Sequence, residues 1–151
     1  LVLGTAGATV ALFPASASAS APNFLGGGGK AGPLTFSFGV TSDVTGNNVK
    51  GAFTLADSEG RFTVQATCLQ VSPGNGGLMA GTGGKVIAST EPFAPPGTGI
   101  LVGASNAPDE LALLEHLPTG DVPGPGQCAP SFVPGDAVAL THGNIVIRQG
   151  S

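Results

Sequence analysis

The strongest constraint in this sequence is a strict alternation of apolar and polar residues that begins at Leu34. In the run 34–41, Leu, Phe, Phe and Val take every second position, and Thr, Ser, Gly and Thr lie between them. A period of two places all of the apolar side chains on one face of a β-strand. The run therefore predicts a half-buried strand.

Two further runs repeat the pattern. In 49–55 the apolar residues again share one face, and turn-forming residues at 57–60 close a hairpin. The next run is predicted to turn four residues inward: Phe62, Val64, Ala66 and Cys68. Leu69 and Val71 break this phase, which predicts either a β-bulge or a covered outer face there.

The rest of the chain predicts more strands. A glycine-dense passage ends in an apolar run at 85–88, and 100–104 is typical of a fully buried strand. The apolar residues of 138–140 and 145–147 are out of phase with each other. A bulge at Gly143 would bring them onto one face of a strand. We expect an all-β fold, a single antiparallel β-barrel or β-sandwich of about seven to eight short strands with at most one short helix.

That possible helix lies at 106–117. Asn106 suits an N-cap, Pro108 suits the first turn, and Leu111, Leu114 and Leu117 lie three residues apart. Propensity favours a helix here, although a strand stays open.

The first residues indicate export. Residues 1–21 are apolar and uncharged and end in alternating Ala and Ser, so they predict a signal peptide truncated at its start and cleaved after Ala19 or Ala21. The glycine-rich stretch 22–33 lacks the spacing of a phosphate-binding loop and is interpreted as a flexible lead-in. Residues 34–151 form the predicted β domain. We expect a secreted, extracellular protein with no membrane span after signal cleavage.

The amino-acid composition argues against two classes of binding partner. The sequence has five Lys and Arg residues, spread from Lys30 to Arg148, and a formal net charge of −4. Such a spread does not predict the basic stripe of a nucleic-acid-binding protein. The chain has no Trp and no Tyr, so the usual stacking platforms of sugar-binding modules are missing.

The two cysteines, Cys68 and Cys128, are predicted to form a disulfide, because an exported chain with two cysteines normally oxidises them. The bond would fix the proline-rich segment 117–135 to the sheet. A reactive thiol and a metal pair are the alternatives, but neither cysteine has a basic neighbour or further soft ligands nearby in the sequence.

Several short motifs resemble a group of small secreted β-rich proteins of high-GC Gram-positive bacteria, a family of uncharacterised function. The motifs are Cys68-Leu69-Gln70-Val71 with Gly74-Asn75, Pro108-Asp109-Glu110, Gly84-Lys85-Val86, and Thr141-His142-Gly143-Asn144-Ile145-Val146-Ile147, in which the final Ile replaces Val. The resemblance implies export, a β-barrel or β-sandwich, and a strand rather than a helix after Pro108. It implies no mechanism.

Catalytic and metal chemistry have weak support. Ser105 follows an apolar strand as a nucleophile would, but Ala107 stands where a nucleophile elbow needs Gly. Its possible partners would be His116 or His142, with Asp109, Asp121 or Asp136. The two histidines form no zinc pattern, and the oxygen-rich segments 57–59 and 106–110 lack calcium-loop spacing. We therefore predict no catalytic residue, metal or cofactor.

Three functions remain. The first, which we favour, is a non-catalytic extracellular or cell-envelope module that binds an unknown protein or envelope component through edge strands or loops. The second is a carrier of small apolar ligands, and the third is a small serine hydrolase around Ser105.

Overall fold

The computed structural model describes residues 21–74, 76–117, 120–130 and 137–151. The predicted signal peptide lies outside the described residues, except for Ala21. Nine strands are present: β1 (Asn23–Ala31), β2 (Leu34–Ser42), β3 (Lys50–Ala56), β4 (Arg61–Gly74), β5 (Gly77–Ser89), β6 (Gly99–Asn106), β7 (Asp109–Leu117), β8 (Val138–Ala139) and β9 (His142–Arg148). The described part contains no helix that could cross a membrane.

The strands form one antiparallel sheet in the order β8-β7-β6-β5-β4-β3-β2-β1-β9. The all-β prediction is confirmed, with nine strands in a curled sheet instead of seven to eight. One chain segment joins the two edges of the sheet. Ala139 pairs with Glu110 of β7, and two residues later the Thr141 amide donates a 2.8 Å hydrogen bond to the Lys30 carbonyl of β1.

The glycine-rich lead-in predicted at 22–33 is wrong, because β1 occupies it and pairs with both β2 and β9. The glycines allow close approach of β9. A Cβ at Gly27 would lie 2.2 Å from the Asn144 carbonyl oxygen, and one at Gly29 would lie 2.1 Å from that of His142. The Gly27 φ of 105° also favours glycine.

The helix favoured by propensity at 106–117 is also wrong, since β7 lies there as the resemblance implied. Val102 pairs with Leu113 and Leu101 with Glu115, so Leu114 is an extra residue in the ladder. Leu111 is buried in the core, whereas Leu117 lies beside Asp121 and Pro123, so the two leucines lie on opposite faces of the strand.

The inner face of the sheet holds the core that the alternation predicted. Phe38 lies 5.5 Å from Phe36 and 5.6 Å from Phe53, measured between ring centroids. Val86, Ile100 and other apolar side chains of the neighbouring strands complete the core. The interior of the curled sheet is therefore filled by apolar side chains.

The predicted bulge in β4 is confirmed, and it corrects the placement of Cys68. Ala66 pairs with Gly84 and Cys68 pairs with Gly83, so Thr67 is the extra residue. After the bulge Leu69 joins the core, which places Cys68 on the outer face of the sheet.

The bulge predicted at Gly143 is wrong. β9 pairs with β1 in an unbroken register from His142 to Arg148. The change of phase arises because the chain leaves one sheet edge at Leu140 and enters the other at His142.

Candidate functional site

The proline-rich segment 121–130 lies over the outer face of β4 and β5. The predicted Cys68–Cys128 disulfide is confirmed, and it joins residues 60 apart in sequence. The Thr67 hydroxyl donates to the Pro123 carbonyl. At Gly81 an added Cβ would lie 2.0 Å from the Cys128 carbonyl oxygen, so this segment packs directly on the sheet backbone.

Ser105 does not have the surroundings of a nucleophile. Its side chain is fully buried, and its hydroxyl accepts a 3.4 Å hydrogen bond from the Ala107 amide. Among the described contacts, no histidine or carboxylate bonds to this hydroxyl. His142 is exposed on β9 opposite Lys30, while the His116 side chain and Asp136 lie outside the described residues.

The two calcium candidates use their oxygens to hold turns. Asp57 Oδ1 accepts hydrogen bonds from the amides of Glu59 and Gly60, at 2.8 and 3.1 Å. Asn106 Oδ1 accepts from the Leu78 amide at 2.9 Å. Across the described ranges, no group of three or more His, Cys, Asp and Glu side chains could hold a metal ion.

A small recess contains the one pair of carboxyl groups with opposite pKa shifts in the described part of the chain. Its volume is about 130 Å³, and its lining residues are Leu34, Leu55, Ala56, Asp57, Phe62, Glu91 and Phe93. Burial raises the pKa of Glu91, and its hydrogen bond with Asp57 raises it further. The amide of Glu59 lowers the pKa of Asp57. Glu91 is therefore the member of the pair that holds a proton more readily.

Sequence reasoning missed Glu91. It lies in the loop between β5 and β6, far from Asp57 in sequence, and no motif links the two. Ligand pockets usually measure about 300–1,000 Å³. The recess is too small for a ligand of that class, and its carboxyl pair is better explained as a contact between the hairpin turn at 57–60 and the loop after β5.

All of the Lys and Arg residues in the sequence lie on the outer face of one group of six strands. These five residues are exposed: Lys30, Lys50, Arg61, Lys85 and Arg148. The strands that carry them, together with β2, contain no Asp or Glu. We call the outward-facing residues of β1–β5 and β9 that the segment 121–130 leaves uncovered the cationic face. The cations looked scattered in the sequence, but the fold places them on one face.

The cations reach one face because each lies in the outward phase of its strand. Leu25 and Ala31 of β1 are buried, so Lys30 points outward. Ile145 and Ile147 of β9 are buried, so Arg148 points outward and stacks 5.0 Å above the ring of Phe24.

Comparisons with protein-family models, with curated proteins and with solved structures find no match to this chain.

Proposed function

We propose that this protein is a secreted, non-catalytic module that binds an extracellular or cell-envelope component through its cationic face. The observation that carries the proposal is the segregation of charge. All five cations lie in a group of six strands that contains no Asp or Glu, although the formal net charge of the chain is −4. A local field of one sign steers and orients a partner of opposite charge.

Two observations support export. Residues 1–21 have the composition of a signal peptide. The Cys68–Cys128 disulfide suits an oxidising compartment, since reducing enzymes keep cytosolic thiols free.

The packing supports a surface function over the two alternatives. A carrier would need an open interior, whereas Phe36, Phe38 and Phe53 pack against one another inside the sheet. A hydrolase would need an accessible nucleophile, whereas Ser105 is fully buried.

Export is tested by expressing residues 1–151, preceded by an initiator Met and a short basic segment, in a secreting Gram-positive host. We expect a product in the medium whose mass corresponds to cleavage after Ala19 or Ala21 with both cysteines oxidised. Retention in the cytoplasm with free thiols would contradict the proposal.

Function is tested by incubating the exported protein with washed cells of the same host. We expect the wild type to bind the cell surface, and we expect the Lys30→Gln/Arg61→Gln variant to bind less. Labelling of Ser105 by a fluorophosphonate would support the hydrolase instead. An apolar molecule that co-purifies in native mass spectrometry would support the carrier.

A further inference from the structure

Four of the five cations lie at the corners of a frame on the cationic face. Lys30 and Arg61 occupy one cross-strand row, and Arg148 and Lys50 occupy another. Within each row the two cations are three strands apart, which is about 14 Å. The rows are separated along β1 by the distance from Phe24 to Lys30, about 20 Å. Lys85 lies outside one long side of the frame, on β5.

The floor of the frame is made of small and hydrogen-bonding side chains. Ser37, Thr54 and Thr63 form one cross-strand row. The hydroxyl oxygens of Thr54 and Thr63 lie 3.1 Å apart. A Cβ at Gly39, in the next row, would meet no atom within 4 Å. The floor is therefore low and open, and it offers hydroxyl groups that donate and accept hydrogen bonds.

Two carboxylates in the loops beside the frame are engaged in their own loops. Asp43 accepts hydrogen bonds from Thr45, Asn47 and Asn48. Asp57 accepts two from backbone amides of its turn. Within the described ranges, none of the five cations forms an ion pair with a carboxylate. The cations are available to an external anion.

We propose that the cationic face binds an acidic polysaccharide, a linear sugar polymer that carries carboxylate or sulfate groups. This inference rests on the proposed function and names its partner class. Separated Lys and Arg residues suit charged groups that occur at intervals along a chain. The hydroxyl-bearing floor between them suits the sugar hydroxyls between those groups. Trp and Tyr platforms, which this sequence lacks, serve neutral sugars by stacking, whereas charge contacts do not need them.

The cationic face is less suited to single-stranded nucleic acid and to a membrane surface. Single-stranded nucleic acid binds through stacking on exposed rings, and the Phe24 ring on this face lies beneath Arg148. A membrane surface binds proteins that insert large apolar side chains. Among the described residues, the large exposed ones are Val44, Ile87, Phe93 and Val138, and none lies inside the frame.

The test measures binding of the oxidised mature protein to heparin and to polygalacturonate by isothermal titration calorimetry. Neutral dextran is the control polymer. We expect both acidic polymers to bind, dextran not to bind, and the affinity to fall as salt is raised. The Lys30→Gln/Arg61→Gln variant should bind about tenfold more weakly, at roughly threefold for each exposed charge contact.

A matched variant controls for net charge. Gln127→Glu/Ala129→Glu also lowers the charge by two, at exposed positions of the segment 121–130 outside the frame. Its affinity should remain within about twofold of the wild type. Equal weakening of both variants, or unchanged binding of the Lys30→Gln/Arg61→Gln variant, would overturn the assignment of the face.

Two competitor probes test the chemistry. A single-stranded DNA 20-mer and phosphatidylglycerol vesicles should each bind more weakly than the acidic polysaccharides. Equal or tighter binding of either, or no binding of heparin and polygalacturonate, would overturn the assignment of the partner. Because export and cell-surface binding are measured separately, an exported protein that binds cells but ignores both polymers would overturn this inference and leave the proposed function standing.

Discussion

The backbone amide of Cys128 donates a 2.8 Å hydrogen bond to Oε1 of Gln70, two residues beyond the cysteine to which Cys128 is bonded. One strand therefore supplies both a covalent and a polar attachment for the proline-rich segment. Cys128 is only 2% exposed, so its amide has little access to water as a substitute partner.

Removing the disulfide should destabilise the fold strongly. The Cys68→Ala/Cys128→Ala variant opens a link between residues 60 apart. We expect a loss of about 4 kcal/mol in the free energy of unfolding, from the entropy of closing a loop of this length. Urea denaturation measures the loss. Dithiothreitol should lower the stability of the wild type and leave the variant unchanged, and a similar response of both proteins would contradict the prediction.

Gln70→Ala should cost about 1–3 kcal/mol, because it leaves the buried amide of Cys128 without its acceptor. Gln65→Ala on the same strand is the control. Gln65 is exposed, so its loss should change the free energy of unfolding by less than about 0.5 kcal/mol. Equal effects of the two substitutions in urea denaturation would show that the contact to Cys128 contributes nothing.

Gly81→Ala should destabilise the protein by about 1–3 kcal/mol, because the new Cβ would push against the segment that the disulfide holds in place. Gly39→Ala is the matched control, since a Cβ there would meet no atom within 4 Å. In the variant without cysteines, the segment can move away and the cost of Gly81→Ala should fall. A double-mutant cycle measures this coupling, and purely additive effects would exclude it.

Because of the Asp57–Glu91 carboxyl pair in the recess, the free energy of unfolding should fall both when the pH is lowered and when it is raised. The lowered pKa of Asp57 means that the unfolded chain binds its proton more readily, so stability falls as the pH drops below about 4. The raised pKa of Glu91 means that the folded chain keeps its proton longer, so stability also falls as the pH rises above about 4. These two groups together favour a stability maximum in mild acid.

Glu91→Gln should remove the decline above that maximum, because the amide cannot ionise. Glu59→Gln, at an exposed position of the neighbouring turn, should keep most of it, because the charge of Glu59 is the smallest of the causes that raise the pKa of Glu91. Urea midpoints measured from pH 3 to pH 8 distinguish the two variants. Persistence of the decline in Glu91→Gln would show that another group causes it.

The parts of the fold that were predicted correctly are those in which side chains alternate. The strands β2, β3 and β4 were visible because their apolar residues repeat every second position, and the bulge in β4 was visible as a break in that period. The strand β1 was missed because four consecutive glycines carry no side chain that could alternate. The prediction for β7 was wrong because leucines three residues apart are typical of a helix face, whereas in the strand Leu111 and Leu117 lie on opposite faces.

The candidate surface could not be predicted for a different physical reason. Each of the five cations lies in the outward phase of its own strand, but only the order and register of the strands bring them next to one another. Sequence separation hid this arrangement: Lys30 and Arg148 lie near opposite ends of the chain yet occupy β1 and β9, which are paired neighbours. The disulfide was predictable because it depended on the number of cysteines rather than on register.

The position of β1 between β2 and β9 also constrains the order in which the protein can fold. β1 finds its first neighbour within a short hairpin, but its second neighbour, β9, lies far along the chain. Such distant pairing slows folding, because a long stretch of chain must be ordered before the contact forms. The glycine-rich edge of β1 therefore stays unpaired until residues 142–148 reach it, and this side of the sheet closes late in folding.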